Sequence, residues 1–142
     1  MLFQNIFITD ILNFITTHSY DGVDIDWEFP SSFFDRVNLT SFVKELRFKM
    51  DEINTDYRLT MAISSNNWYG QWFDFTTLSK YCDWFGVMTY DFHGSWTNHA
   101  GHNSPISAPS NCDDGSIVST LDYLLNVRNI APTQLLLGIP FY

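Results

Sequence analysis

The chain has 142 residues, enough for one domain with its own hydrophobic core. Its net charge of −9 argues against nucleic acid and anionic membrane surfaces as partners. No signal peptide is visible, because the first basic residue is Arg36, and no apolar run approaches membrane-spanning length. Aromatic residues make up 18% of the chain, with 5 Trp, 7 Tyr and 13 Phe, a content that suits both a core and a cleft where flat rings stack.

In chain order, Phe3, Phe7, Ile11, Phe14 and Ile15 fall at helical spacing, which predicts a helix over 3–18. Val23 to Trp27 alternates apolar and acidic residues and reads as a strand, ended by Pro30 and the two serines after it. Leu39, Phe42, Val43, Leu46, Met50 and Ile53 predict a helix over 37–53. Arg58 to Ile63 reads as a second strand, followed by a Ser/Asn/aromatic loop holding Ser64, Asn67, Trp68, Tyr69 and Gly70. A short helix is expected over 73–80 and a third strand over 84–89. The stretch from Gly94 to Gly115 is long, polar and rich in Gly, Pro, Ser and Asn; loops of that length in compact domains are usually functional or disordered. Residues 116–129 read as a helix with Ile117, Leu121, Leu124 and Leu125 on one face, and 135–139 as the last strand. Strands alternating with helices imply an α/β fold with a parallel sheet.

Two cysteines, Cys82 and Cys112, make no disulfide framework and show no metal-type spacing. Cys82 precedes a strand and is expected to be buried; Cys112 sits in a polar stretch, and pairing between them is left open. Asn38-Leu39-Thr40 is a glycosylation-type triplet, relevant if the chain is secreted.

The most informative segment is Asp21-Gly22-Val23-Asp24-Ile25-Asp26-Trp27-Glu28-Phe29-Pro30. Side chains at i, i+2 and i+4 share one face of a strand, stepped by roughly 6–7 Å. Asp24, Asp26 and Glu28 therefore form a row of acids, with Val23, Ile25 and Trp27 facing the core behind them. Adjacent carboxylates repel, so one of a row tends to keep a proton near neutral pH, as general acid catalysis requires. A calcium loop of the EF-hand kind is excluded, since Phe29 stands where that loop needs Gly. A solvated edge strand would not place Trp, Ile and Val behind the acids. No nucleophile elbow, phosphate-binding loop or nucleotide fingerprint is present.

Asp21-Gly22-Val23-Asp24-Ile25-Asp26-Trp27-Glu28 resembles the D-G-x-D-x-D-W-E signature of family 18 glycoside hydrolases, the chitinases and their relatives. Asp83 to Trp96 is similar to that family's M-x-Y-D strand and following loop, and Leu135 to Tyr142 resembles its seventh strand. The resemblance implies part of a (β/α)8 barrel, roughly strands four to seven, with residues 1–142 a fragment of one catalytic domain truncated at both ends. A full barrel needs about 250 residues, so two strand edges and a barrel interior would stand open.

The resemblance also implies roles. Glu28 would protonate the glycosidic oxygen. Asp26 would share a proton with Asp24, the buried end of the relay, and orient the substrate's acetamido group. Family 18 is an exception to the two-carboxylate scheme, because the substrate's own acetamido oxygen attacks the anomeric carbon, with net retention. Tyr90 would bind the acetamido oxygen, Asp91 would contact the same sugar, and Met88 would line the pocket near the acetamido methyl. Trp96 would stack a sugar on the leaving-group side. The implied substrate is chitin or a chito-oligosaccharide, neutral and so indifferent to the chain's charge; no cofactor and no metal are implied. Action outside the cell follows only from where chitin is found.

Some readings stay open on the residues alone. Met88 could be ordinary core and Tyr90 a buried Tyr bonded to backbone. Trp68, Tyr69 and Trp72 could stack sugars or form a surface cluster. His93, His99 and His102 could hold zinc, but their spacing matches no common pattern, and polar lining of a cleft is the plainer reading. Rival functions are an endo-β-N-acetylglucosaminidase acting on glycoproteins, and a chitin-binding lectin on the same barrel. The intact Glu28 speaks against the lectin.

Overall fold

Each strand leads into a helical return that brings the chain back to start the next strand parallel to it. The computed structural model describes residues 2–109 and 114–142. Helix α1 (Leu2–Thr17) leads to β1 (Gly22–Ile25), α2 (Phe33–Ile53), β2 (Arg58–Ile63), the short helices α3 (Asn67–Gly70) and α4 (Phe75–Leu78), and β3 (Trp84–Val87). Then come α5 (Ile117–Asp122), a π-helical turn (Tyr123–Val127), a 3-10 turn (Pro132–Gln134) and β4 (Leu135–Leu137). The four strands form one sheet in the order β1-β2-β3-β4, every neighbouring pair parallel. This is the α/β fold with a parallel sheet that the strand–helix alternation predicts, and it agrees with the partial barrel that the resemblance implies.

The core lies where the helices cover the sheet. β2 is an inner strand, and its alternate residues Leu59, Met61 and Ile63 are buried on the face that the helices cover. Helix α2 turns Leu39, Val43, Leu46 and Met50 to it, the i, i+4, i+7 stripe of an amphipathic helix. Phe73, Phe75 and Phe85 pack as an aromatic wedge, with rings 5.5 and 5.8 Å apart. The Arg128 side chain ties the π-helical turn to this wedge, donating to the carbonyls of Gly70 and Phe73 at 2.9 and 2.8 Å with its guanidinium 4.9 Å from the Phe75 ring.

Several boundaries differ from the sequence expectation, for local reasons. Helix α2 starts at Phe33, four residues before the expected 37, because Ser32 caps it: the Asp35 N–H donates to Ser32 Oγ at 3.1 Å, and Asp35 accepts from the Ser31 N–H. Residues 67–70, expected as loop, form a helical turn capped by Asn66 Oδ1, which accepts from the Trp68 N–H at 2.9 Å. Among the described side chains of α1, Ile8, Leu12 and Ile15 are buried, while Phe7 and Phe14 are exposed. That helix is apolar on most sides, so periodicity leaves its inner face undetermined.

Strand β1 ends at Ile25 and β3 at Val87, each two residues short of expectation. After β3 the Thr89 N–H turns back onto the Val87 carbonyl at 2.8 Å, which breaks the ladder. Gly22, which opens β1, is set so close to β2 that a Cβ there would run into the Arg58 backbone.

Both outer strands leave an open edge among the described residues. Beside β1 runs an apolar groove lined by Phe7, Ile11, Val23, Trp27, Leu39 and Phe42. Trp27, expected in the core, is 42% exposed because it borders this groove. At the other edge Leu136, Leu137 and Ile139 face solvent. No helix among the described residues is long and apolar enough to cross a membrane. Cys82 is buried, as expected, and Cys112 lies outside the described residues.

Candidate active site

In a parallel sheet all strands end on the same side, and every candidate residue but one lies at that end or just beyond it. Asp24 is the third residue of β1; Asp26 and Glu28 follow the strand by one and three residues. Met88, Tyr90 and Asp91 follow β3 by one, three and four. One cleft is lined by Glu28, Phe29, Ser64, Met88, Tyr90 and Asp91, among others. The structure thus brings Glu28 together with Met88, Tyr90 and Asp91, which lie 60 to 63 positions further along the sequence.

Three devices hold this cleft. Beyond Ile25 the chain leaves the ladder and bends toward α3, where the Phe29 ring stacks on Tyr69 at 4.4 Å; the intervening Glu28–Phe29 peptide is cis. Tyr90 packs its ring on the backbone of Gly138, where a Cβ would collide with it. Asp91 adopts a left-handed φ of 55°, held by its N–H donating to Asn103 Oδ1 at 2.6 Å, while its carboxylate accepts from the Tyr142 hydroxyl at 2.8 Å. A non-glycine residue in that region persists only when its surroundings over-determine it.

The electrostatics follow from the crowding of acids. Burial, and then the negative charges of Asp26, Glu28 and Asp91, push the Tyr90 hydroxyl above its ordinary value. It therefore stays protonated through the neutral range and can donate a hydrogen bond. Asp24 accepts a hydrogen bond from the Thr60 hydroxyl, its direct cross-strand partner in β2.

The acid row differs from expectation in one respect. Asp24 was expected as the buried end of the relay, yet Asp24, Asp26 and Glu28 are all exposed in this chain. Four strands leave the concave side of the sheet open, and Asp24 and Asp26 border the groove along the β1 edge. Trp96 stands apart from the cleft. It is 66% exposed on the loop after β3, its ring folded over Gly94.

Sequence reasoning missed the contribution of the loop after β2, Ser64, Ser65 and Asn66, although the rule that strand ends line the site pointed there. It also missed Thr60, Asn103 and Tyr142, whose roles depend on cross-strand and loop pairing with no local signal. The histidines sort differently from expectation: His93 and His99 approach each other, His102 contributes its backbone carbonyl, and Asp114 is the third side chain.

Comparison with known proteins gives one consistent result. The sequence profile of Glycosyl hydrolases family 18 matches residues 3–142. "Probable chitinase 2" of Drosophila melanogaster is 36% identical over 146 residues, covering 99% of this chain and 29% of its own length. The Group IV chitinase of Ostrinia furnacalis, solved in complex with allosamidin, superposes with a TM-score of 0.88 at 31% identity, covering 97% of this chain and 40% of that one. The second catalytic domain of the Ostrinia furnacalis Group II chitinase, solved as a mutant in complex with (NAG)5, gives a TM-score of 0.89 at 26% identity and covers 97% and 38%. The chain therefore spans well under half the length of these relatives.

Proposed function

The chain belongs to Glycosyl hydrolases family 18, and from that premise we propose that it carries the acid-bearing part of a chitinase active site. The observation that carries this reading is the single cleft shared by Glu28, Met88, Tyr90 and Asp91 at the C-terminal ends of β1 and β3. Glu28 is the general acid, donating a proton to the glycosidic oxygen as the bond breaks. Asp26, just past β1, and Asp24, within it, precede Glu28 in the chain, and the Thr60 hydroxyl fixes one oxygen of Asp24.

No second carboxylate is needed as nucleophile if the substrate supplies its own. In this reading the acetamido oxygen attacks the anomeric carbon, the bond to the leaving oxygen breaks, and Glu28 protonates that oxygen. Water then opens the resulting oxazolinium ring, returning the configuration to that of the substrate. The Tyr90 hydroxyl, kept protonated by burial and by its acidic neighbours, donates to the acetamido oxygen and orients it. Asp91 holds the same sugar, and Met88 lines the pocket beside the acetamido methyl. Trp96 stacks a sugar on the leaving-group side; its exposed ring is free to do so.

The substrate is β-1,4-linked N-acetylglucosamine, as chitin or its oligomers, which places the action outside the cell. Residues 1–142 are part of one catalytic domain, with four strands among the described residues where a complete barrel has eight. Proton NMR of the intact protein acting on chito-oligosaccharides tests the mechanism. The first product formed should be the β-anomer; initial α-anomer would rule out retention.

A further inference from the structure

Outside the cleft, the long loop after β3 contains a second cluster of chemistry-bearing side chains. His93 Nε2 lies 3.1 Å from His99 Nε2 and 3.3 Å from Asp114 Oδ2, and His99 Nε2 lies 2.9 Å from Asp114 Oδ1. The three donor atoms all fall within 4.8 Å of one another. The far nitrogen of each ring is occupied: His93 Nδ1 faces the His102 carbonyl at 2.9 Å, and His99 Nδ1 faces Asn98 Oδ1 at 2.9 Å.

A backbone carbonyl can only accept, so His93 Nδ1 carries the proton; Asn98 Oδ1 sets the same tautomer in His99. In that tautomer each ring turns an Nε2 lone pair toward the Asp114 carboxylate, so two nitrogens and an oxygen converge on one point. Like electron pairs at these separations repel unless a cation lies between them. The separations suit a transition metal. Zinc bonds to imidazole nitrogen and carboxylate oxygen at about 2.0–2.2 Å, which sets ligand-to-ligand edges of about 3.3 Å in a tetrahedron. The oxygens on Nδ1 are the outer partners that metal-ligating histidines use to fix tautomer and ring orientation.

We propose that His93, His99 and Asp114 form a divalent transition-metal site, with zinc as the fitting ion and the fourth position left to water. The set of two imidazoles and one carboxylate favours zinc over magnesium or calcium, which prefer all-oxygen shells. His93 is almost fully buried, its side chain 6% exposed, and so forms the fixed floor of the site, while His99 is half exposed and closes it. His93 and Asp114 flank the loop that begins three residues after Tyr90. A bound metal ties the two ends of that loop together and stiffens the segment carrying Trp96.

The test titrates zinc into the intact protein at about pH 7.5 against a chromophoric chelator, with limited proteolysis of residues 94–115 as a second readout. His99→Ala and Asp114→Asn are the informative variants, because both side chains are partly exposed and their loss leaves the core untouched; near-UV circular dichroism verifies folding. Cys112→Ser is the control, since that thiol lies two residues from Asp114 in sequence. One zinc ion per chain, affinity lowered tenfold or more in both His99→Ala and Asp114→Asn, unchanged affinity in Cys112→Ser, and zinc-slowed cleavage of the loop are expected. Absence of stoichiometric binding, affinity that survives either substitution, affinity lost in Cys112→Ser, or cleavage indifferent to zinc overturns the proposal.

Discussion

Asp24 and Thr60 are direct cross-strand partners in β1 and β2, and the Thr60 hydroxyl donates to the Asp24 carboxylate. The inner end of the acid row is therefore anchored by a hydroxyl on the most buried strand of the sheet. Thr60→Val keeps the shape and removes the donor. Loss of a hydrogen bond to a charged group costs roughly 1.5–3 kcal/mol, so kcat should fall by about 10- to 100-fold with KM little changed. Thr60→Ser should restore most of it. Steady-state kinetics on chitotriose check this, and an unchanged kcat in Thr60→Val would remove Thr60 from the relay.

Tyr90 offers a spectroscopic handle. Its hydroxyl is pushed up from the ordinary 10.0 by burial first and then by Asp26, Glu28 and Asp91. In an absorbance titration at alkaline pH, the component lost in Tyr90→Phe should ionise later than an exposed tyrosine. The same variant keeps the ring on Gly138 and loses only the donor, so hydrolysis should drop about 10- to 100-fold while stability holds. Ionisation of Tyr90 at or below the ordinary value would contradict the crowding of acids around it.

Cys82 links burial to alkaline stability. Burial first, then the charges of Asp83 and Asp24, push its thiol from 9.0 up to about 12. Because the folded value lies above the unfolded one, this thiol's contribution to stability is complete below pH 9 and is lost as pH rises from 9 toward 12. Urea midpoints should therefore fall over that window, and less so in Cys82→Ala measured against its own value at pH 8. Rapid labelling of Cys82 by a thiol reagent in the native protein would show the site to be open.

Ser32→Ala removes the cap of α2. The cost should be about 1 kcal/mol, read from urea unfolding. A loss under about 0.3 kcal/mol would mean that the first turn is held by something other than Ser32.

Much of this arrangement is legible in the sequence, because the acid row and the strand–helix alternation are local signals. Glu28, Asp26 and Asp24 are marked by period-two spacing, and the parallel sheet by apolar strands between amphipathic helices. What was not legible depends on contacts between distant segments. Exposure of Asp24 and Trp27 reflects the open edge at β1, which no local pattern encodes. The early end of β1 follows from the Phe29–Tyr69 stack, a contact across 40 positions. The His93–His99–Asp114 cluster needed the fold of a long loop, since Asp114 lies 15 residues beyond His99 with no fixed spacing to announce it. Helix α2, by contrast, could have been placed correctly from Ser32-x-x-Asp35 alone.

Glu28→Gln in the intact protein tests the role of Glu28 as general acid most directly. Turnover of chitotriose and binding of the same sugar by calorimetry would be measured side by side. Hydrolysis should fall by about 10²- to 10⁴-fold, with sugar affinity within a few fold of the parent. Turnover retained in Glu28→Gln would contradict that role.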